Sequence, residues 1–208
     1  LWMLPKTIFL IMLLLLFFLV FSECIGYQVF EKDCMGARFV VLIDEDDREK
    51  SEKGAIAAFK EGERLNLALS DYDSASELVR FSESSQSGRK FTLSDDLFRV
   101  LSHGQELSHE TDGCFDVTIG PLSRLWRIAR FRKKMPPEEK LATALDRVGY
   151  QSMRLSAKDR TGILTTPGMV LDLGGIAKGY AADRMMETLR EKGLSRCLID
   201  AGGDLVIG

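Results

Sequence analysis

The sequence predicts an α+β fold in a single domain, on three observations. Helical and strand patterns are mixed without the strict β-α-β alternation of a doubly wound sheet. Glycine-bearing turns separate the elements. The 208 residues, 45% hydrophobic and 28% charged, suffice for one core of ordinary globular composition. A net charge of −3 supplies no global basic field to recruit nucleic acid. Two histidines (His103 and His109) and no Cys/His cluster at zinc spacing argue against a zinc enzyme.

Residues 1–26 stand apart from the domain expected over 27–208. Lys6 precedes the apolar run Ile8 to Phe21. At 1.5 Å per residue that run spans about 21 Å, short of the roughly 30 Å hydrocarbon core. With small or polar residues following (Ser22, Cys24, Gly26), the pattern favours an export signal over a retained anchor. Cys24 offers a lipoprotein signal as a third alternative, which Glu23 just before it fits poorly. The expected location is exported, periplasmic or cell-envelope, with membrane association through this leader. Cys34, Cys114 and Cys197 are far apart without repeated spacing, so free thiols are expected rather than a disulfide framework.

The elements follow in order. Ala37 to Asp44 reads as a strand, rich in β-branched and aromatic residues. Asp46 to Ser70 reads as a helix, with Ala55, Ile56, Phe59, Leu65 and Leu69 near helical spacing. Asp71 to Gly88, with six serines, reads as a loop. Ser94 is an N-cap, and Asp95 and Asp96 sit where a helix dipole favours acids; that helix runs to about Glu110 and stops before Asp112-Gly113. Cys114 to Pro121 reads as a short strand or extended loop, and Leu122 to Lys134 as a basic and apolar segment ended by Pro136-Pro137. A helix follows Pro137, with Leu141, Leu145 and Val148 inward and Gly149 as C-cap. Met153–Leu155 and Gly162–Leu164 pair as short strands, and Met169–Leu173 is another strand. The last helix runs from about Ile176 to Lys192, and strands Cys197–Asp200 and Leu205–Ile207 flank a turn at 201–204.

The segment Asp172 to Asp183, DLGGIAKGYAAD, carries the strongest chemical signal. Gly174 and Gly175 remove two Cβ atoms where a ligand can approach the backbone. The helix that starts at Ile176 offers amide hydrogens to an anion. Lys178 opposes the helix dipole, and Gly179 costs up to about 1 kcal/mol against alanine. Two locally unfavourable choices beside a double glycine point to function or to close packing. The spacing matches neither the Walker loop nor the dinucleotide fingerprint. Elsewhere, Asp116 and Thr118 alternate and share a face if extended. Tyr72 is an aromatic in a polar loop, able to stack on a planar ring.

Together, five segments resemble the ApbE family of FAD:protein FMN transferases. They are Met35-Gly36-Ala37, Ser70 to Glu77, Asp112 to Trp126, Asp172 to Asp183, and Ala201 to Gly208, in that order. The resemblance implies an α+β fold and a Mg2+-dependent reaction. FMN moves from FAD to a threonine or serine hydroxyl of a target flavoprotein through a phosphoester bond, and AMP leaves. It places FAD contacts on Met35, Tyr72, Cys114, Phe115, Asp116, Asp172 and Lys178. It places one metal contact on Gly175, through its backbone carbonyl. The alternatives are an exported FAD-binding protein and an FAD pyrophosphatase without protein flavinylation. The family continues beyond the Gly202-Gly203-Asp204 turn, so the chain reads as truncated at its C-terminus. The family's histidine motif and an Asp/Thr pair of the metal site are absent here, and no catalytic residue is assigned. Both histidines are expected at the surface. Arg127 to Lys134 is strongly basic where relatives tend to have glycine; it reads as a solvated face or as contact with an acidic partner or lipid surface.

Overall fold

The structure is a computed structural model that describes residues 26–208. The leader expected over residues 1–26 therefore lies outside the described residues, Gly26 excepted. Among the described residues, no helix is long and apolar enough to cross a membrane. The elements are β1 (Gln28–Cys34), β2 (Ala37–Ile43), α1 (Arg48–Leu69), α2 (Glu77–Ser84), β3 (Phe91–Thr92), α3 (Asp95–Glu110), α4 (Gly120–Arg132), α5 (Glu138–Leu145), β4 (Met153–Ser156), β5 (Thr161–Leu164), α6 (Ala177–Glu191), β6 (Cys197–Ala201) and β7 (Leu205–Ile207). The α+β class expected from the sequence is the one observed.

A four-stranded antiparallel sheet, ordered β1-β2-β6-β7, forms one layer. Alternation sets its inner face: Phe39, Val41 and Ile43 of β2 lie opposite Ala201, Ile199 and Cys197 of β6, and all six are buried. Helices α1 and α6 pack on each other and on this sheet. Their contact is close because α1 turns small residues inward. A Cβ on Gly54 would lie 3.4 Å from Leu189 Cδ2 of α6 and 2.3 Å from Leu194 Cδ1 just beyond it, and one on Gly62 would lie 3.2 Å from Met185 Sδ of α6 and 3.0 Å from Cys34 Sγ. The buried stripe of α1 is Ser51, Gly54, Ala55, Ala58, Phe59, Gly62, Leu65 and Leu69. Ile56, expected inward, faces out at 60% exposure. Five of the eight stripe residues are small, so large apolar residues alone do not mark this helix face.

The second sheet, β3-β5-β4, is short and antiparallel. It packs beside α2, where Phe81 fills the space that a Cβ on Gly162 would occupy. Helix α2 departs from the loop expected over 71–88. Ser76 caps it by accepting from the Val79 amide at 3.1 Å, and Leu78 and Phe81 bury one side. The serines conceal it by composition, although the cap and the apolar pair are present. The strand expected over Met169–Leu173 reduces to one parallel bridge, Val170 to Ile119. The helix after Pro137 ends at Leu145, with Asp146 as C-cap; Gly149 instead opens a 3-10 turn over Tyr150–Ser152.

Asp96, in the first turn of α3, joins three helices. Tyr180 of α6 donates to its Oδ1 at 2.6 Å, and Arg64 of α1 donates to its Oδ2 at 2.8 Å. Burial and the neighbouring Asp96 push the Tyr180 phenol up to about 12. A raised pKa means that the folded state holds this proton more tightly than the unfolded chain. Its contribution is intact below the ordinary phenol value of about 10 and is lost as pH rises through about 12. Tyr180→Phe therefore flattens the fall of stability with pH in that window, measured by denaturant unfolding. Equal slopes in the two proteins would contradict this coupling.

Candidate functional site

Two loops distant in sequence are stitched together by backbone groups. The Asp172 amide donates to the Val117 carbonyl at 2.8 Å, and the Gly120 amide donates to the Val170 carbonyl at 3.1 Å. The approach admits no side chain: a Cβ on Gly120 would lie 2.5 Å from the Val170 carbonyl oxygen. Helix α4 starts at this junction, with Gly120 followed by Pro121 in the first turn, where proline is tolerated. Helix α6 starts five residues beyond Asp172, at Ala177.

Each loop is braced by its own carboxylate. Asp172 Oδ1 accepts from the Gly174 amide at 2.8 Å. Asp116 Oδ1 accepts from the Thr118 amide and hydroxyl, both at 2.7 Å, and its Oδ2 accepts from the Tyr150 amide at 3.0 Å. Thr118 Oγ1 accepts in turn from the Gly149 amide at 2.8 Å. Asp116 and Thr118 do share a face, but in a side-chain-braced turn rather than a strand. Phe115 lies over the double glycine, its ring 3.2 Å from where a Cβ of Gly175 would be.

A cavity of about 640 Å3 opens beside the junction. That is within the usual range of small-molecule sites. Its walls include Met35 from the β1-β2 turn, Asp71 and Tyr72 from the loop after α1, Arg127 from α4, and Gly174 and Lys178 around the start of α6. Met35 and Gly36 both have positive φ, 51° and 72°, as a two-residue hairpin turn of this type requires. The left-handed conformation costs a methionine roughly 1–2 kcal/mol. Tyr72 is 74% exposed. Its loop is closed by serines: Ser70 Oγ accepts from the Tyr72 and Asp73 amides at 3.2 Å, and Ser76 Oγ donates to the Ser70 carbonyl at 2.6 Å.

Lys178 Nζ lies 3.4 Å from the Gly174 carbonyl and 3.5 Å from an Asp204 carboxylate oxygen. The 201–204 turn reaches it because Gly202, at φ 68°, has no side chain; a Cβ there would lie 2.8 Å from Ala37 Cβ. Three of the five motif segments thus meet around one lysine.

Of the residues singled out in the sequence, Met35, Tyr72 and Lys178 line the cavity. Asp172 joins it through Arg127, which donates from Nη2 to Asp172 Oδ2 at 3.0 Å. Cys114, Phe115, Asp116 and Gly175 belong to the adjoining junction rather than to the cavity wall. Sequence reasoning missed Arg127 and Asp71, whose ion pair measures 2.6 Å. Nothing in the acid-free segment around Trp126 distinguishes Arg127 from Arg124 or Arg130. Burial opposes the charge on Arg127, but Asp71, with Asp172 and Tyr72, raises its pKa above the ordinary value. His103 and His109 are both exposed, as expected, and the three described cysteines are free.

The residues present do not by themselves make a magnesium site. Mg2+ requires near-octahedral oxygen coordination. Among the described residues there is no group of three or more His, Cys, Asp or Glu placed to hold a metal. The Gly175 carbonyl is at most one ligand of such a site.

The model of the ApbE family matches residues 35–208. The chain belongs to the ApbE family. Its relatives include the FAD:protein FMN transferase of Haemophilus influenzae, 30% identical over 145 residues, which are 68% of this chain and 42% of that protein. The Escherichia coli K12 enzyme of the same name is 29% identical over 141 residues, 66% of this chain and 40% of that one. The chain thus spans about two-fifths of the length of these curated relatives. Among solved structures, the flavin transferase ApbE from Vibrio cholerae superposes with a TM-score of 0.79 at 24% identity, over 88% of this chain and 59% of that one. The Thermotoga maritima apbe protein gives 0.78 at 23% identity, with the same two coverages. These structural likenesses establish the fold.

The glycines at the starts of α4 and α6 differ in what they accommodate. Around Gly179 an added Cβ meets no atom within 4 Å, so close packing against the described residues does not explain this glycine. Gly179→Ala is expected to raise stability by up to about 1 kcal/mol through helix propensity. Gly120→Ala is expected to lower it by about 1–3 kcal/mol, because a backbone carbonyl cannot yield as a side chain does. Thermal unfolding of both variants checks this; shifts of the same sign would contradict the packing described.

Proposed function

We propose that this chain binds FAD and carries the dinucleotide-binding part of an FAD:protein FMN transferase. The observation that carries this reading is the convergence of Met35, Tyr72, Lys178 and the Asp172 loop on one cavity. Tyr72 presents a ring face for stacking. Lys178 supplies positive charge beside the start of α6, where an anion is favoured. Asp172 and Gly174 shape the backbone that a pyrophosphate approaches. The run Cys114-Phe115-Asp116 contributes from the adjoining loop, and Asp116 holds its form.

In the transfer, the hydroxyl oxygen of a threonine or serine on a target flavoprotein bonds to the FMN phosphorus. The bond from that phosphorus to the bridging oxygen breaks, AMP leaves with that oxygen, and the hydroxyl proton passes to a base. Magnesium, when bound, supplies charge neutralisation at the pyrophosphate. Gly175 is the proposed point of contact, with the other ligands from FAD and from parts of the whole protein beyond these residues. An exported location, with the leader as signal or anchor, completes the proposal; it rests on Lys6 and the apolar run Ile8 to Phe21.

The test combines binding with transfer. FAD titration of this chain should show saturable binding, and Asp172→Ala should weaken it about tenfold, equivalent to about 1.4 kcal/mol. Incubating the whole protein with FAD, magnesium and a threonine-bearing acceptor domain should yield an FMN adduct by mass and equimolar AMP. Binding without AMP release would favour a flavin-binding protein instead, and AMP without adduct would favour an FAD pyrophosphatase. Unchanged FAD affinity in a folded Asp172→Ala variant would remove that residue from the site.

A further inference from the structure

We propose that Arg127 is a positioning residue: it locks the Tyr72 ring and the Asp172 loop into one preformed arrangement, so that the free face of Tyr72 is ready to stack on a planar ring of the ligand. The proposal rests on the reading of the cavity as an FAD site.

Three contacts define the role. The guanidinium carbon of Arg127 lies 4.2 Å from the Tyr72 ring centroid, within cation–π range. Arg127 Nη1 pairs with Asp71 Oδ2 at 2.6 Å, and Nη2 pairs with Asp172 Oδ2 at 3.0 Å. Both carboxylates are largely covered, with side-chain exposures of 12% and 11%, whereas the arginine is at 33%. One flat, forked cation thus bridges the loop after α1 to the loop before α6, from a position on α4.

Tyr72 shows why such a bridge matters. It is among the most exposed aromatics described, at 74%. An exposed ring on a loop samples several rotamers, and stacking on it requires that freedom to be lost. Arg127 covers one face of the ring and fixes it before a ligand arrives, while Ser70 and Ser76 hold the loop beneath it. Lysine has the same charge but neither the plane nor the fork, so it cannot stack on a ring and bridge two carboxylates together. The cations nearby, Arg124, Arg130, Arg132, Lys133 and Lys134, are exposed and take no part in these three contacts. Arg127 is therefore separated in function from the basic run in which it sits.

The experiment is a double-mutant cycle on FAD affinity, using this chain with Arg127→Ala, Arg127→Lys, Tyr72→Ala and the Arg127→Ala/Tyr72→Ala pair. Arg127→Ala should weaken FAD about tenfold, and Arg127→Lys should recover less than half of that loss on a logarithmic scale. In the Tyr72→Ala background, removing Arg127 should cost less than threefold, because its effect passes largely through the ring. Full recovery by lysine would mean that charge alone matters and would overturn the proposal. An undiminished tenfold loss without Tyr72 would also overturn it, as would tighter binding in Arg127→Ala, which would make Arg127 a plug rather than a brace. Unaltered affinity in Arg127→Ala, with the wild-type chain binding FAD, would overturn the role of Arg127 alone. A wild-type chain that binds no FAD would instead overturn the functional reading on which the proposal stands.

Discussion

The parallel contact between Ile119 and Val170 is the constraint on which the site depends. It brings the backbone of two loops close enough for the Asp172 amide to reach the Val117 carbonyl and the Gly120 amide to reach the Val170 carbonyl. Each such bond is worth about 1 kcal/mol net, but leaving either group buried and unpaired costs more. The contact also fixes where two helices begin. Helix α4 leaves from one loop and returns Arg127 to the site. Helix α6 leaves from the other and carries Lys178. The cavity walls supplied by α4 and α6 thus refer to one point of origin.

Around that point, charge is balanced by pairs rather than by a field. Arg127 faces Asp71 and Asp172; Lys178 faces Asp204 and the Gly174 carbonyl. These pairs are partly covered, so the attraction within each is offset by the cost of taking its charges out of water. Their value is geometric, because they hold side chains that would otherwise be mobile. The helices behind the site are set by packing instead. Small residues on α1 admit α6, and Asp96 ties both to α3. A firm layer of sheet and helices therefore supports a cavity whose lining comes mostly from loops and helix starts, as is common where function sits on a scaffold.

The legibility of the sequence was uneven, for identifiable reasons. Helix α3 was readable because Ser94, Asp95 and Asp96 are local signals of a helix start. The strand pair β4-β5 and the final hairpin were readable because alternation and turn residues are short-range. Helix α2 was lost among serines that serve as caps and braces but count as loop formers in composition. Ile56 is misplaced by the sequence because most of the inward face of α1 is glycine, alanine and serine, with Phe59, Leu65 and Leu69 as its only large apolar residues. The strand expected at Met169–Leu173 has only one pairing partner, and sheet membership depends on a neighbour that local sequence does not name.

The site shows the same division. The sequence by itself determined which segments matter: the double glycine at 174–175, the lysine opposing its helix dipole, the aromatic in a polar loop, and the ordered motifs that mark the ApbE family. These are local chemical anomalies, or their order along the chain, and so are visible without coordinates. Only the tertiary structure decided which of them share a cavity, that Asp116 and Asp172 brace their own loops, and that Arg127 alone of a basic run turns inward. The shared cavity and the inward turn of Arg127 depend on the approach of residues far apart in sequence, such as Arg127 and Asp172 at 45 positions and Asp71 and Arg127 at 56. Such approaches are set by packing of the whole domain, and no local propensity encodes them.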